Sequence, residues 1–250
     1  MSTAHRQTGH ALRLEWGATG AAAVAPGCAV AVVVDVLSFT TTVTVAADRR
    51  VPVLPYRWDD DGARAHAAAQ GATLAVGRSR AGPGDVSLSP GSVRRARGLR
   101  RLVLPSPNGS TISAGLAGEV PTVVALALRN RRAVATWLRR RRAADPDLRV
   151  AVICAGERWP DGSLRPAVED LWGAGALVAQ LDGWPDVAPE AAAAAAAFGA
   201  AAGGVAAALR ACASGRELID AGHPDDVDVA AELDASSSVP VLRDGAFVGV

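Results

Sequence analysis

Lysine is missing from this 250-residue chain: all 26 residues that count as lysine or arginine are arginine. Lysine Schiff bases and the phosphate-gripping lysine of a Walker P-loop are therefore excluded. Codon usage in a GC-rich genome produces the same bias, so arginine number alone says nothing about function. Aromatic residues make up only 4% of the chain against 50% apolar residues overall, which calls for a core of small, closely packed side chains. Neither sign of charge is in excess: 26 basic against 25 acidic residues leave a net charge of +1. That balance gives no field for drawing in nucleic acid or an anionic membrane. The three cysteines, Cys28, Cys154 and Cys212, are odd in number and far apart in apolar or alanine-rich surroundings. They read as reduced core residues of a cytoplasmic protein, and no histidine motif beside them suggests a catalytic thiol. Long apolar runs are lacking too, because the region from Ala18 is broken at Pro26-Gly27 and stops at Asp35. Neither a transmembrane helix nor a signal peptide is expected.

What is present suits one domain spanning residues 1–250, or two intimate lobes; at this length roughly 75% of the unfolded surface can be removed from water. Strands are expected over Ala11–Trp16, Ala29–Asp35, Val51–Pro55, Thr73–Val76, Arg101–Leu104, Thr122–Leu126 and Arg149–Cys154. Helices are expected over Gly17–Ala25, Phe39–Asp48, Asp59–Gln70 (capped by Asp59 or Asp60), Ser110–Ala117 and Arg131–Arg142, near Val168, and once or twice within Ala188–Ala213. The threonine-rich Phe39–Asp48 is assigned helix because a parallel strand pair needs a crossover. Gly77–Gly91 reads as a long loop, Arg94–Arg101 as a basic cluster, and Val239–Val250 as an edge strand or tail. The repeating order of strand, loop and helix predicts an α/β fold.

The chemistry concentrates at four places. In AVVVDVLSFTTT, Ala31 to Thr42, an apolar strand runs into Asp35 and then into Ser38, Thr40 and further hydroxyls able to cap the next helix. Open α/β sheets put ligands at the carboxyl ends of their strands, so Asp35 is a candidate cation ligand, with a covalent nucleophile and a plain cap as alternatives. The second Asp that haloacid-dehalogenase phosphatases require two residues on is here Leu37. In PSPNGST, Pro105 to Thr111, Asn108 and Gly109 permit a turn that aims N–H groups at an anion, helped by Ser110, though an ordinary Asn-Gly turn fits the same residues. Glu169 and Asp170 open a helix and serve either as hard-cation ligands or as dipole complements. Asp225, Asp226 and Asp228 are a further supply of oxygens or an acidic helix start, and His223 has no visible orienting partner.

Taken in order, these segments resemble the 2-phosphosulfolactate phosphatase family, often called the ComB family. VDVLSFTTT (34–42) is similar to its VDVLRATTT, GDVSLSP (84–90) to DLGNSP, SPNGS (106–110) to TTNGT, and CAG with VEDLWGAGAL (154–177) to CAG with LEDLLGAG. SGRELIDAGHPDDVDVAAELD (214–234) matches its S-x-x-G-x-x-L and acidic pattern. The resemblance implies a three-layer α/β/α fold with a mostly parallel or mixed sheet and a Mg²⁺-dependent phosphatase of coenzyme M biosynthesis that converts 2-phosphosulfolactate to sulfolactate. It implies catalytic and metal-holding roles for Asp35, Glu169 and Asp170. Substrate contacts would fall to Asn108, Gly109, Ser110, Ser38, Thr40, Arg78 and Arg80. The partner would be a small phosphorylated organic acid, with no nucleic acid or membrane, and a homodimer is compatible. The departures are Ser38 for the motif's arginine, Leu88 for its asparagine, and Gly77-Arg78-Ser79 for a Gly-Glu-Arg segment. They point to a changed pocket and leave two alternatives: another small phosphate ester, or an inactive anion-binding or regulatory protein.

Overall fold

The computed structural model describes residues 3–57 and 60–250. The elements follow in chain order as β1 (Leu12–Trp16), α1 (Gly17–Val24), β2 (Val30–Val34), α2 (Phe39–Asp48), β3 (Val53–Tyr56), α3 (Asp60–Ala69), β4 (Thr73–Leu74), α4 (Pro90–Arg95), β5 (Leu102–Pro105) and α5 (Gly109–Leu116). The second half adds β6 (Thr122–Leu126), α6 (Arg131–Ala144), β7 (Val150–Cys154), β8 (Glu157–Arg158), β9 (Leu164–Arg165), α7 (Val168–Val178), α8 (Pro189–Ala201), α9 (Val205–Ala211), α10 (Ala213–Asp220), α11 (Pro224–Ala230), β10 (Pro240–Arg243) and β11 (Ala246–Gly249). Asp59, one of the two caps expected for α3, lies outside the described residues.

Nine strands form one mixed sheet in the order β1-β7-β2-β6-β10-β11-β3-β5-β4. Pairing is parallel within β1-β7-β2-β6 and within β3-β5-β4, and antiparallel at every step from β6 through β10 and β11 to β3. The sheet is thus two parallel blocks of opposite sense joined by a hairpin. This corrects the expectation for Val239–Val250, which is neither edge nor tail but an interior hairpin. Its intermittent apolar pattern could not show that, because among the described residues its ladder to the blocks rests on one register each side, Val241 with Val124 and Phe247 with Val53. It also corrects the reason given for α2: β2 and β3 lie in different blocks and run in opposite senses, so α2 links the blocks and is no parallel crossover.

Strand alternation explains the three layers. On β2, Val30, Val32 and Val34 face the core under α6, α7, α8 and α9, while Ala31 and Val33 face the core under α1, α2 and α5. All five side chains are fully buried, and each valine contributes roughly 1.5–3 kcal/mol by leaving water. Helix α2 is buried from Phe39 to Ala47, which its four threonines permit because each hydroxyl donates to a backbone carbonyl: Thr40 to Asp35, Thr41 to Val36, Thr42 to Ser38 and Thr44 to Thr41. These hydroxyls therefore do not cap the helix. The expected long loop ends earlier than Gly91, since Pro90 opens α4 with Ser89 capping it through the Ser92 N–H. By length and composition Pro189–Ala211 is apolar enough to cross a membrane. Here it is divided into α8 and α9 by a turn at Ala202–Gly204, and Ala191, Ala194, Phe198, Val205 and Leu209 are packed into the core.

Candidate active site

The carboxyl ends of β2, β5 and β7 meet although β5 belongs to the opposite block. Asp35 follows β2, and its two carboxylate oxygens accept N–H groups from the first residues of two helices: Phe39 of α2 to Oδ1 at 3.1 Å and Gly109 of α5 to Oδ2 at 2.8 Å. Two helix N-termini thus face one carboxylate, which offsets part of the cost of burying it. Gly109 has no side chain for a steric reason: a Cβ there would lie 2.6 Å from Asp35 Oδ2 and 2.7 Å from Phe39 Cδ1. The Leu37–Ser38 peptide beside them is cis.

Asp170, in the first turn of α7, makes a matching pair of contacts. Its Oδ1 accepts the Val36 N–H at 2.7 Å and its Oδ2 the Gly156 N–H at 2.8 Å, so one side chain ties together the segments leaving β2 and β7. Glu169 is buried alongside, and the Cys212 thiol, pushed up to about 12 first by burial and then by the Glu169 charge, stays protonated against it. Helix α7 approaches this closely because Gly173 and Gly175 carry no Cβ; at Gly175 one would lie 1.9 Å from the Ala194 carbonyl oxygen of α8.

A fourth carboxylate, Glu157, was not singled out in the sequence. It directly follows CAG at the end of β7, and its Oε2 accepts the Asn108 side-chain amide at 2.9 Å. The signal that picked out Asp35, a charged residue just past the carboxyl end of a buried strand, would have found it. The four acids repel one another. Burial, first of all, pushes Asp35 up to about 6, the N–H groups of Phe39 and Gly109 pull it down, Glu169 raises it and Arg78 lowers it. Glu157 rises to about 7 through burial and the Asp35 charge, against the pull of the Asn108 amide. Asp170 also lies well above the usual carboxylate range, from burial and from the Asp35 and Glu169 charges, with the two N–H groups opposing.

The remaining expected site residues divide. Arg78 is within electrostatic reach of Asp35, and its Nη2 donates to the Ser38 hydroxyl. Thr40 is fully engaged with the Asp35 backbone, accepting its N–H at 3.0 Å and donating to its carbonyl at 2.7 Å. Ser110 turns away to donate to the Tyr56 carbonyl at 2.7 Å. Arg80 lines a separate cavity with Arg64, Leu74 and Pro105. The later acids go to arginines: Asp226 to Arg78, Asp228 to Arg210 and Asp225 to Arg95. His223, the N-cap residue of α11, is half-buried.

Carboxylate oxygens are the donor type that hard divalent cations take. Among the described residues no group of three or more His, Cys, Asp or Glu side chains is placed to hold a metal ion. Mg²⁺ does not need such a group, since it is held through one or two carboxylates with water and substrate phosphate completing the shell. Three buried carboxylates and the half-buried Glu157, mutually repelling and opposed by Arg78 and Arg165, are the charge pattern such an ion would relieve.

Fold and site together define a three-layer α/β/α protein with an acidic oxygen-donor centre where strand ends meet helix N-termini. Residues 21–245 match the family model described as 2-phosphosulpholactate phosphatase, and the chain belongs to that family of phosphoric monoester hydrolases. It is 31% identical over 222 residues to the 2-phosphosulfolactate phosphatase of Methanothermobacter thermautotrophicus, covering 88% of this chain and 89% of that one. It is 32% identical over 222 residues to a probable 2-phosphosulfolactate phosphatase of Deinococcus radiodurans, covering 86% and 88%.

Proposed function

We propose that this protein hydrolyses a small phosphorylated organic acid, 2-phosphosulfolactate, to sulfolactate and inorganic phosphate, with Mg²⁺ held by Asp35 together with Glu169 or Asp170. The observation that carries the reading is the convergence of Asp35, Glu157, Glu169 and Asp170 in a buried site built from three strand ends. Phosphate monoesters are so inert that enzymes accelerate their hydrolysis by up to about 10²¹-fold, so neutralising charge must dominate. Bound Mg²⁺ would supply Lewis-acid stabilisation of phosphoryl oxygens.

The chain's own residues have separable tasks. Arg78 supplies positive charge toward the substrate's anionic oxygens. Asp170 holds the β2 and β7 exits in register, and Asp35 does the same for the starts of α2 and α5. Hydrolysis forms a bond from water oxygen to phosphorus and breaks the one to the ester oxygen, with a proton passing from the water to the departing alcohol. Glu157, poised near neutrality with Oε2 fixed by Asn108, is the group suited to carry that proton on Oε1. Buried free cysteines agree with a reducing, cytoplasmic setting.

The test is release of inorganic phosphate from 2-phosphosulfolactate and a panel of small phosphate monoesters, with Mg²⁺ or with chelator. Asp35→Asn should lower kcat/KM by about 10²–10³-fold or more. Full activity in that variant, or no turnover across the panel, refutes the proposal; phosphate binding without turnover would instead favour the inactive anion-binding alternative.

A further inference from the structure

Arg78, in the 3₁₀ turn Arg78–Arg80, is held through two of its guanidinium nitrogens. Its Nε donates to Asp226 Oδ2 at 3.0 Å, and its Nη2 donates both to the Leu88 carbonyl at 2.7 Å and to the Ser38 hydroxyl. Asp226 comes from α11, 148 residues further along the chain, and its other oxygen accepts the Ser89 hydroxyl. The side chain of Asp226 is 3% exposed and that of Arg78 18% exposed, so the acid is sealed off while the arginine stays partly open to solvent. Among the described residues Nη1 is the one guanidinium nitrogen of Arg78 with no hydrogen-bond acceptor. A planar guanidinium fixed through Nε and Nη2 can offer Nη1 in only one direction.

Arg78 lines a cavity of about 650 Å³ whose wall also carries Arg95, Arg97 and His223, with Asp85 as its carboxylate. On the other side the guanidinium touches Ser38, three residues from Asp35 and in the position where the family motif has arginine. Arg78 therefore stands between a basic cavity and the acidic centre.

We propose that Asp226 is a positioning residue that presets Arg78 so that its Nη1 edge receives an anionic oxygen of the substrate entering from the basic cavity. The inference deepens the phosphatase reading and rests on it for the identity of the ligand. Arg78 contacts the substrate, and Asp226, with Ser89 behind it, acts only through Arg78. A neutral or shortened side chain at 226 frees the guanidinium to rotate, which weakens substrate capture more than turnover of substrate already bound.

The experiment uses the full-length protein with Mg²⁺ and compares wild type with Arg78→Lys, Arg78→Ala, Asp226→Asn and Asp226→Ala. Three quantities are read: KM and kcat on 2-phosphosulfolactate, the Kd for inorganic phosphate by calorimetry, and the melting temperature. Arg78→Ala and Arg78→Lys should each weaken phosphate binding and raise KM by about tenfold or more. Asp226→Asn, near-isosteric and the safer of the two for folding, should raise KM by about three- to tenfold, change kcat less, and weaken phosphate binding in parallel at a melting temperature close to wild type. An unchanged KM and phosphate Kd in Asp226→Asn overturns the proposal, as do losses that track only the fall in melting temperature. If the wild-type protein turns over no phosphate ester, the functional reading fails, while the phosphate-binding series still decides the role of Asp226.

Discussion

At the scale of single residues, the site is built from carboxylates used as structural clamps as well as chemical groups. Asp35 joins the first N–H of α2 to the first N–H of α5, and Asp170 joins the exits of β2 and β7. Asp170→Asn turns one of two acceptors into a donor facing an N–H, and should cost about 1–3 kcal/mol in urea unfolding. Gly109→Ala drives a methyl group to 2.6 Å from Asp35 Oδ2. It should cost about 1–3 kcal/mol of stability and most of the activity, because the clash falls on the bond that orients Asp35. Retained wild-type kcat in Gly109→Ala would show that Asp35 does not need that bond.

At the scale of elements, the hairpin of β10 and β11 decides whether the site exists. Asp35 leaves β2 in one parallel block, and Gly109 follows β5 in the other. The hairpin between the blocks is paired outward through one register on each side, so side-chain packing must hold it. Phe247 of β11 is buried and meets Phe39, the first residue of α2, edge-on at 6.2 Å between ring centres. Phe247→Ala should cost about 3–5 kcal/mol and loosen the Phe39 N–H that Asp35 accepts. Reduced kcat in the fraction that stays folded, together with faster amide exchange in α2, is the expected result. A second element-scale test falls on α7: Gly175→Ala puts a methyl group 1.9 Å from the Ala194 carbonyl oxygen, forcing α7 from α8 and carrying Glu169 and Asp170 with it. Its unfolding midpoint should fall sharply, with activity lost even below the transition.

At the scale of the whole molecule, the acidic centre gives stability an unusual dependence on pH. Asp35, raised from 3.8 to about 6, and Glu157, raised from 4.5 to about 7, hold protons in the folded state that they release on unfolding at the same pH. The folded state then binds more protons than the unfolded one, so their contribution is full below about pH 4 and is lost as pH rises through 6 and 7. Glu232 and Asp234 act in the opposite sense. Arg94 and Arg129 lower Glu232 and Arg131 and Arg132 lower Asp234, although burial pushes both up, so their stabilisation fades at low pH. The metal-free protein should therefore melt highest near pH 5 and lose stability toward pH 8, by at most about 3 kcal/mol from Glu157 alone at 1.36 kcal/mol per pKa unit. Calorimetric melts across that range should show the decline, and Glu157→Gln should flatten it.

The sequence by itself determined the α/β class, most of the strands and helices, and the placing of Asp35, Glu169 and Asp170, because buried strands and helix starts leave local signatures in composition and period. It also determined that α2 is helical in spite of its threonines, although for a reason that the sheet order replaced. Only the tertiary structure decided that Val239–Val250 sits inside the sheet, that Gly109 serves Asp35, that Thr40 and Ser110 are occupied by backbone groups, and that Asp226 grips Arg78 across 148 residues. Those facts depend on which strands pair and which side chains meet at a distance, and a periodic pattern records burial without recording the partner.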